Sequence, residues 1–220
     1  MKKIILVFLL ESLIKILIII TVFLLRTPQL YSQEYSPHAK LTFETSSESR
    51  MFSGTVIESD ESKIKVLTCW HGTMGFKSVK QMSVQLFCDP VENTQLSATV
   101  SLGVVKSDAD KDILLLSGPN PLKLNIRRLS IRRDNLPRIT ETASYGFAHS
   151  NKLIKNRSFV LSYDSSTQGG FDIMTVNAPV IYGMSGGGVV YNNELCGVQS
   201  SGKDGRVSYC PAEQLVEFIK

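Results

Sequence analysis

Histidine and tryptophan are scarce in this chain, with three and one among 220 residues. Any chemistry that needs an imidazole must draw on His38, His71 or His149. Cysteine is sparse as well, and Cys69, Cys88, Cys196 and Cys210 form no C-x-x-C pair and no Cys/His spacing of the zinc kind. No metal and no organic cofactor is therefore implied. A strong excess of one charge is also missing. The formal net charge is +4, which gives no reason to expect nucleic acid as a partner. There is no internal repeat and no long low-complexity tract, so repeat architectures are set aside.

What is present suits a globular chain with a real core: 43% hydrophobic and 20% charged residues, enough for one ordinary domain or two small ones. The first 26 residues stand apart. Lys2 and Lys3 precede an apolar run from Ile4 to Leu25, broken by Glu11 and Lys15. The run is long enough to cross a bilayer as a signal-anchor helix. It also reads as a signal peptide, with Ile16–Leu25 as its apolar region and cleavage near Ser32. Either way the rest of the chain is expected outside the cytoplasm: periplasmic, extracellular or membrane-anchored. Residues 27–47 are polar and irregular and read as a linker into a domain over 48–220.

From residue 51 the pattern is one of short strands, such as "KIKVLTCW", "KQMSVQLF" and "DILLLS", separated by turn-forming clusters. A proline-rich, basic stretch around 118–138 divides them into halves of about 48–118 and 138–212. Its core, "KLNIRRLSIRR" at 123–133, reads as a solvated link, with an anion-binding surface as the other reading. A short helical pattern follows Pro211. Two sets of about six strands predict a double β-barrel or a sandwich. A hairpin centred near Lys203 would set Cys196 opposite Cys210. That allows a cross-strand disulfide, or else two buried free thiols.

Three stretches carry chemistry. His71 follows a strand in "VLTCWHG", Asp112 opens an apolar strand in "DADKDILLL", and Ser185 sits among glycines in "YGMSGGGVV". A serine hydroxyl is a weak nucleophile that needs a base, and imidazole titrates near neutrality. A carboxylate fixes the imidazole tautomer, and acyl transfer also needs donors for a developing oxyanion. His38, in the linker, and His149, in a loop, compete poorly with His71. Asp108 and Asp110 do not abut the apolar strand as Asp112 does.

In this order the motifs resemble the chymotrypsin-like (trypsin-like) serine proteases, in their small bacterial HtrA-like branch without a PDZ domain. Gly183–Gly187 matches the family's GxSGG, Thr68–His71 its histidine motif, Asp112–Leu116 its aspartate strand, and Ser53–Val56 its opening strand. The resemblance spans about 48–220. It implies an all-β fold of two six-stranded antiparallel β-barrels with a short C-terminal helix, preceded here by the N-terminal apolar helix. It implies a serine endopeptidase with His71, Asp112 and Ser185 as its triad and the N–H groups of Gly183 and Ser185 as its oxyanion hole. Ser200 would support the aspartate. Pro179, Tyr182 and Gly202 would line the specificity pocket, whose uncharged residues favour small or medium apolar side chains before the cut bond. The expected partners are peptide or protein substrates, and the membrane if the N-terminal helix is kept. Met184 stands where the family often has Asp or Asn, which argues against activation by an ion pair with a new N-terminus. The competing expectation is a degenerate pseudoprotease that holds peptides without cutting. An esterase is disfavoured, because GxSGG here precedes a strand rather than a helix.

Overall fold

The structure, a computed structural model, describes Lys15 and residues 34–44, 48–74, 81–88, 97–148, 152–165, 172–177, 181–203 and 206–220. Lys15 aside, the N-terminal apolar segment lies outside the described residues, as do His149 and Pro179.

Six strands close a barrel: β1 (His38–Glu44), β2 (Ser49–Ser59), β3 (Lys63–Thr68), β4 (Gln81–Phe87), β5 (Ser97–Asp108) and β6 (Ile113–Pro119), in the order β1-β2-β3-β6-β5-β4. The sequence dictates which faces point in. Met82, Val84 and Leu86 on β4, and Ala98, Val100 and Leu102 on β5, alternate with exposed or half-buried polar residues and fill the barrel. Burying one such Val or Leu is worth about 1.5–3 kcal/mol. Strand β6 is apolar at four successive positions because both of its faces are covered. Leu114 and Leu116 enter the barrel, while Ile113 and Leu115 pack with Leu195, Val198, Leu215 and Phe218.

Strand β1 lies within the stretch expected to be linker, so the folded unit begins at Glu34 rather than at 48. It pairs with both β2 and β4, and so closes the barrel. Ala39 and Leu41 point into the core.

The second half is a sheet of seven strands: β7 (Ser130–Ile131), β8 (Glu141–Phe147), β9 (Leu153–Ser165), β10 (Asp172–Asn177), β11 (Gly188–Tyr191), β12 (Glu194–Lys203) and β13 (Arg206–Pro211). Their order is β11-β8-β9-β10-β13-β12-β7, and β11 also pairs with β12. The expected antiparallel six are joined by β7, which lies parallel to β12. Along the basic link Ile126 and Leu129 turn inward, while Lys123, Arg127, Arg128 and Arg133 are exposed. Helix α1 (Ala212–Ile219) buries Leu215 and Phe218. Lys106 Nζ donates to the Phe218 carbonyl at 2.6 Å, satisfying one of the helix's last acceptors.

The expected pairing of Cys196 with Cys210 is not what the structure holds, because both are free thiols. The β12–β13 register starts at Lys203 opposite Arg206, which centres the hairpin beyond Lys203, so that Cys210 faces Val198 and not Cys196. The two thiols then pack in different apolar clusters. Burial, above all, pushes each of them up to about 12.

His38 is a core residue rather than a linker residue. It is 7% exposed, stacks on Tyr145 of β8 with ring centroids 4.1 Å apart, and leaves Nδ1 buried without a partner. Burial, helped by the Arg127 charge, lowers its pKa from 6.5 to about 3. The unfolded chain therefore takes up a proton between these two values that the folded chain refuses. Stability is unaffected above pH 6.5 and falls as pH drops toward 3, by about 1.4 kcal/mol per unit well inside the window. Urea unfolding between pH 7 and pH 4 should show a shallower loss of stability in His38→Phe than in the wild type. Identical slopes would contradict this.

Candidate active site

His71 opens a one-turn 3-10 helix (His71–Thr73) just beyond β3. Asp112 ends the turn that leads into β6, with a left-handed φ of 53°. Strands β3 and β6 are hydrogen-bonded neighbours, so their ends bring the two residues together. His71 Nδ1 lies 2.7 Å from Asp112 Oδ2, and the His71 backbone N–H donates to Oδ1, also at 2.7 Å. Ser200 Oγ donates to Oδ2 at 2.5 Å. A bulge in β12 explains this contact. Ser200 is the extra residue of β12, and a bulge re-aims a side chain out of the regular alternation. Asp108, a rival for the role of Asp112, instead accepts from the backbone of Asp110 and Lys111.

The carboxylate has an electrostatic consequence. Its hydrogen bond raises the His71 pKa above 6.5, Cys69 adds to this, and burial opposes it. The protonated imidazole is thus favoured by its surroundings.

The glycine-rich loop is held against both halves of the molecule. The Ser185 carbonyl accepts from Ser53 N at 2.7 Å, and Gly186 N donates to the Gln199 carbonyl at 2.8 Å. Gly186 has a φ of +82°, and a Cβ there would stand 2.2 Å from the Ser53 carbonyl oxygen and from Thr68 Oγ1. No other residue fits that position. Gly183, at φ 92°, likewise occupies the region that side chains avoid. Met184 is 1% exposed and fills core space, so no charge sits beside the loop at that position.

Among the described residues, the N–H groups of Gly183 and Ser185 have no acceptor, and Ser185 Oγ makes no hydrogen bond to His71. Both residues line one cleft of about 1090 Å³, together with Trp70, Asp112, Ser200 and Gly202. Tyr182 stands at its rim, 84% exposed. The motif positions 71, 112, 185 and 200 are therefore gathered at one place. Ser53 and Gln199, which hold the loop, had no local signal marking them for this task. Their contacts link residues distant in sequence.

No family model matches the sequence, and no curated protein does either. Solved structures do. The Rv3671c protease from M. tuberculosis, in its active form, superposes with a TM-score of 0.66 at 16% identity, over 83% of this chain and 79% of that one. The MamO protease domain from Magnetospirillum magneticum gives 0.64 at 16%, over 84% and 96%. The fold is that of the chymotrypsin-like serine proteases. The HtrA-type protease AlgW with tripeptide gives 0.66 at 20%, over 87% of this chain and 60% of that one. In this chymotrypsin-like arrangement the cleft lies where the two halves meet. Barrel one supplies His71 and Asp112, and the second sheet supplies Ser185 and Ser200.

Proposed function

We propose that the chain is a serine endopeptidase acting through a Ser185 acyl-enzyme, with its folded domain exported or tethered outside the cytoplasm. The observation that carries this is the joint arrangement, in one cleft, of a carboxylate-bound His71 and a Ser185 loop whose Gly183 and Ser185 N–H groups have no acceptor among the described residues. In the first step His71 Nε2 takes the hydroxyl proton as Ser185 Oγ bonds to the substrate carbonyl carbon. The carbonyl oxygen becomes an oxyanion facing the N–H groups of Gly183 and Ser185. Each such donor lowers the barrier by about 3–4 kcal/mol. Collapse breaks the C–N bond, and the imidazolium gives its proton to the leaving amine. Water then repeats the sequence on the acyl-enzyme. Asp112 holds Nδ1–H throughout, and Ser200 holds Asp112.

The substrates proposed are peptides with small or medium apolar residues before the cut bond. Of the cleft's lining, Ile181, Ser201 and Gly202, where the family resemblance puts the specificity pocket, carry no charge to pair with an entering ion, while Arg50 and Asp110 line the cleft as well. Burying an unpaired charge costs about 3–5 kcal/mol.

One observation favours a second reading, a pseudoprotease that binds peptides: Ser185 Oγ makes no hydrogen bond to His71. Such contacts are often long in a free enzyme and tighten on substrate binding, which keeps the first reading ahead. A fluorophosphonate probe separates them. Stoichiometric labelling of Ser185, with cleavage of a mixed peptide library after apolar residues, is the expected result. Peptide binding without labelling would establish the second reading, and cleavage mainly after Arg, Lys, Asp or Glu would refute the pocket assignment.

A further inference from the structure

The side chain of Ser53 has no place in the chemistry just described, yet it is wholly buried and fully engaged. Its Oγ donates to the Gly183 carbonyl at 2.7 Å and accepts from Phe147 N at 2.7 Å. Its backbone N–H donates to the Ser185 carbonyl at 2.7 Å. Its own carbonyl accepts from Thr68 Oγ1 at 2.6 Å. One residue of β2 thereby joins the loop to β8 of the second sheet and to β3 of its own barrel.

We propose that Ser53 is a positioning residue that aims the oxyanion-binding N–H groups of the Ser185 loop. This rests on the endopeptidase reading above. The carbonyls of Gly183 and Ser185 flank the Met184–Ser185 peptide, whose N–H is one of the two donors. Ser53 holds both carbonyls, one by its hydroxyl and one by its amide. With both neighbours fixed, the peptide between them has little freedom to rotate. Removing the hydroxyl leaves the Gly183 acceptor and the Phe147 donor unpaired in a buried place, a cost the chain relieves where it is softest. The softest point is Gly183, which has no Cβ to restrict rotation. Its peptide turns, and the donors lose their aim. The loss falls on the transition state, since the oxyanion exists only there. Substrate binding in the ground state is left unchanged.

The test is Ser53→Ala in the full chain, with Ser144→Ala as control. Ser144 is another buried hydroxyl, bonded to Ser158 and Tyr209 and not to the loop. On a chromogenic peptide substrate, S53A should lower kcat by about tenfold to a hundredfold with KM within about twofold, short of the loss for deleting a donor outright. The rate of fluorophosphonate labelling, which needs no peptide binding, should fall by the same factor. S144A should keep both rates. Wild-type labelling with an equally labelled S53A overturns this proposal alone, as does a loss confined to KM. A wild type that takes no label overturns the endopeptidase reading and this proposal with it. Should S53A fail to fold, Ser53→Cys keeps the volume with a weaker hydrogen bond and is read the same way. Failure of both to fold overturns the proposal, because the hydroxyl then serves stability only.

Discussion

Ser185→Ala should abolish peptide cleavage while the protein stays folded. The expected fall in kcat is on the order of a million-fold, about 8 kcal/mol of barrier. The reason for so large an effect is that nucleophile and base act as one unit. Without Oγ there is no acyl-enzyme, and His71 has no proton to take. The fold should be indifferent, because among the described residues the hydroxyl makes no hydrogen bond. What holds the loop does not involve the Ser185 hydroxyl: the Ser185 carbonyl accepts from Ser53 N, the Gly183 carbonyl accepts from Ser53 Oγ, and Gly186 N donates to the Gln199 carbonyl. Kinetics on a peptide substrate, with thermal unfolding of both proteins, decide the matter. Alanine protein retaining a tenth of the wild-type rate would remove Ser185 from the mechanism.

Much of this was legible in the sequence, because the site is made of local motifs. Thr68–His71, Asp112–Leu116 and Gly183–Gly187 each encode a strand end and the side chain it presents, and strand pairing draws those ends into one cleft. The places where reading failed share one cause. Strand β1 looked like linker because it follows a proline-containing polar stretch, and its role comes only from pairing with β2 and β4. The symmetric placement of Cys196 and Cys210 about Lys203 assumed a hairpin centred on that residue, whereas Lys203 pairs with Arg206 and Cys210 with Val198. The bulge at Ser200 is a separate irregularity, and it carries Ser200 Oγ to Asp112. Ser53 escaped notice as a loop anchor because its partners, Phe147 and Gly183, lie far away in sequence and close only in the fold.

Asp112→Asn should cost about four orders of magnitude in kcat, roughly 5.5 kcal/mol, without displacing any backbone. Asparagine is well suited to the test, since it tolerates the left-handed φ of 53° that most residues would resist. It also keeps one oxygen for the His71 backbone N–H, which now donates to Oδ1. What it loses is the second acceptor. The amide nitrogen facing His71 Nδ1 is a donor, so the imidazole must turn Nδ1 into an acceptor and carry its proton on Nε2. That nitrogen then faces Ser185 with nothing to take a proton with. The pH dependence gives an independent check on the same contact. The active form of His71 is the neutral one, and Asp112 raises its pKa above 6.5. In the wild type, kcat/KM should therefore climb through an acid limb displaced to the alkaline side of 6.5. The same shift stabilises the fold at low pH: that contribution is complete below 6.5 and lost as pH rises through the raised value. Without the carboxylate the largest cause of the shift is gone, and the limb of the residual activity should move toward lower pH. A profile of kcat/KM against pH for both proteins reads rate and limb together. If Asp112→Asn kept more than a tenth of the activity, or lost it with the limb unmoved, Asp112 would be a structural neighbour of His71 and not its orienting partner.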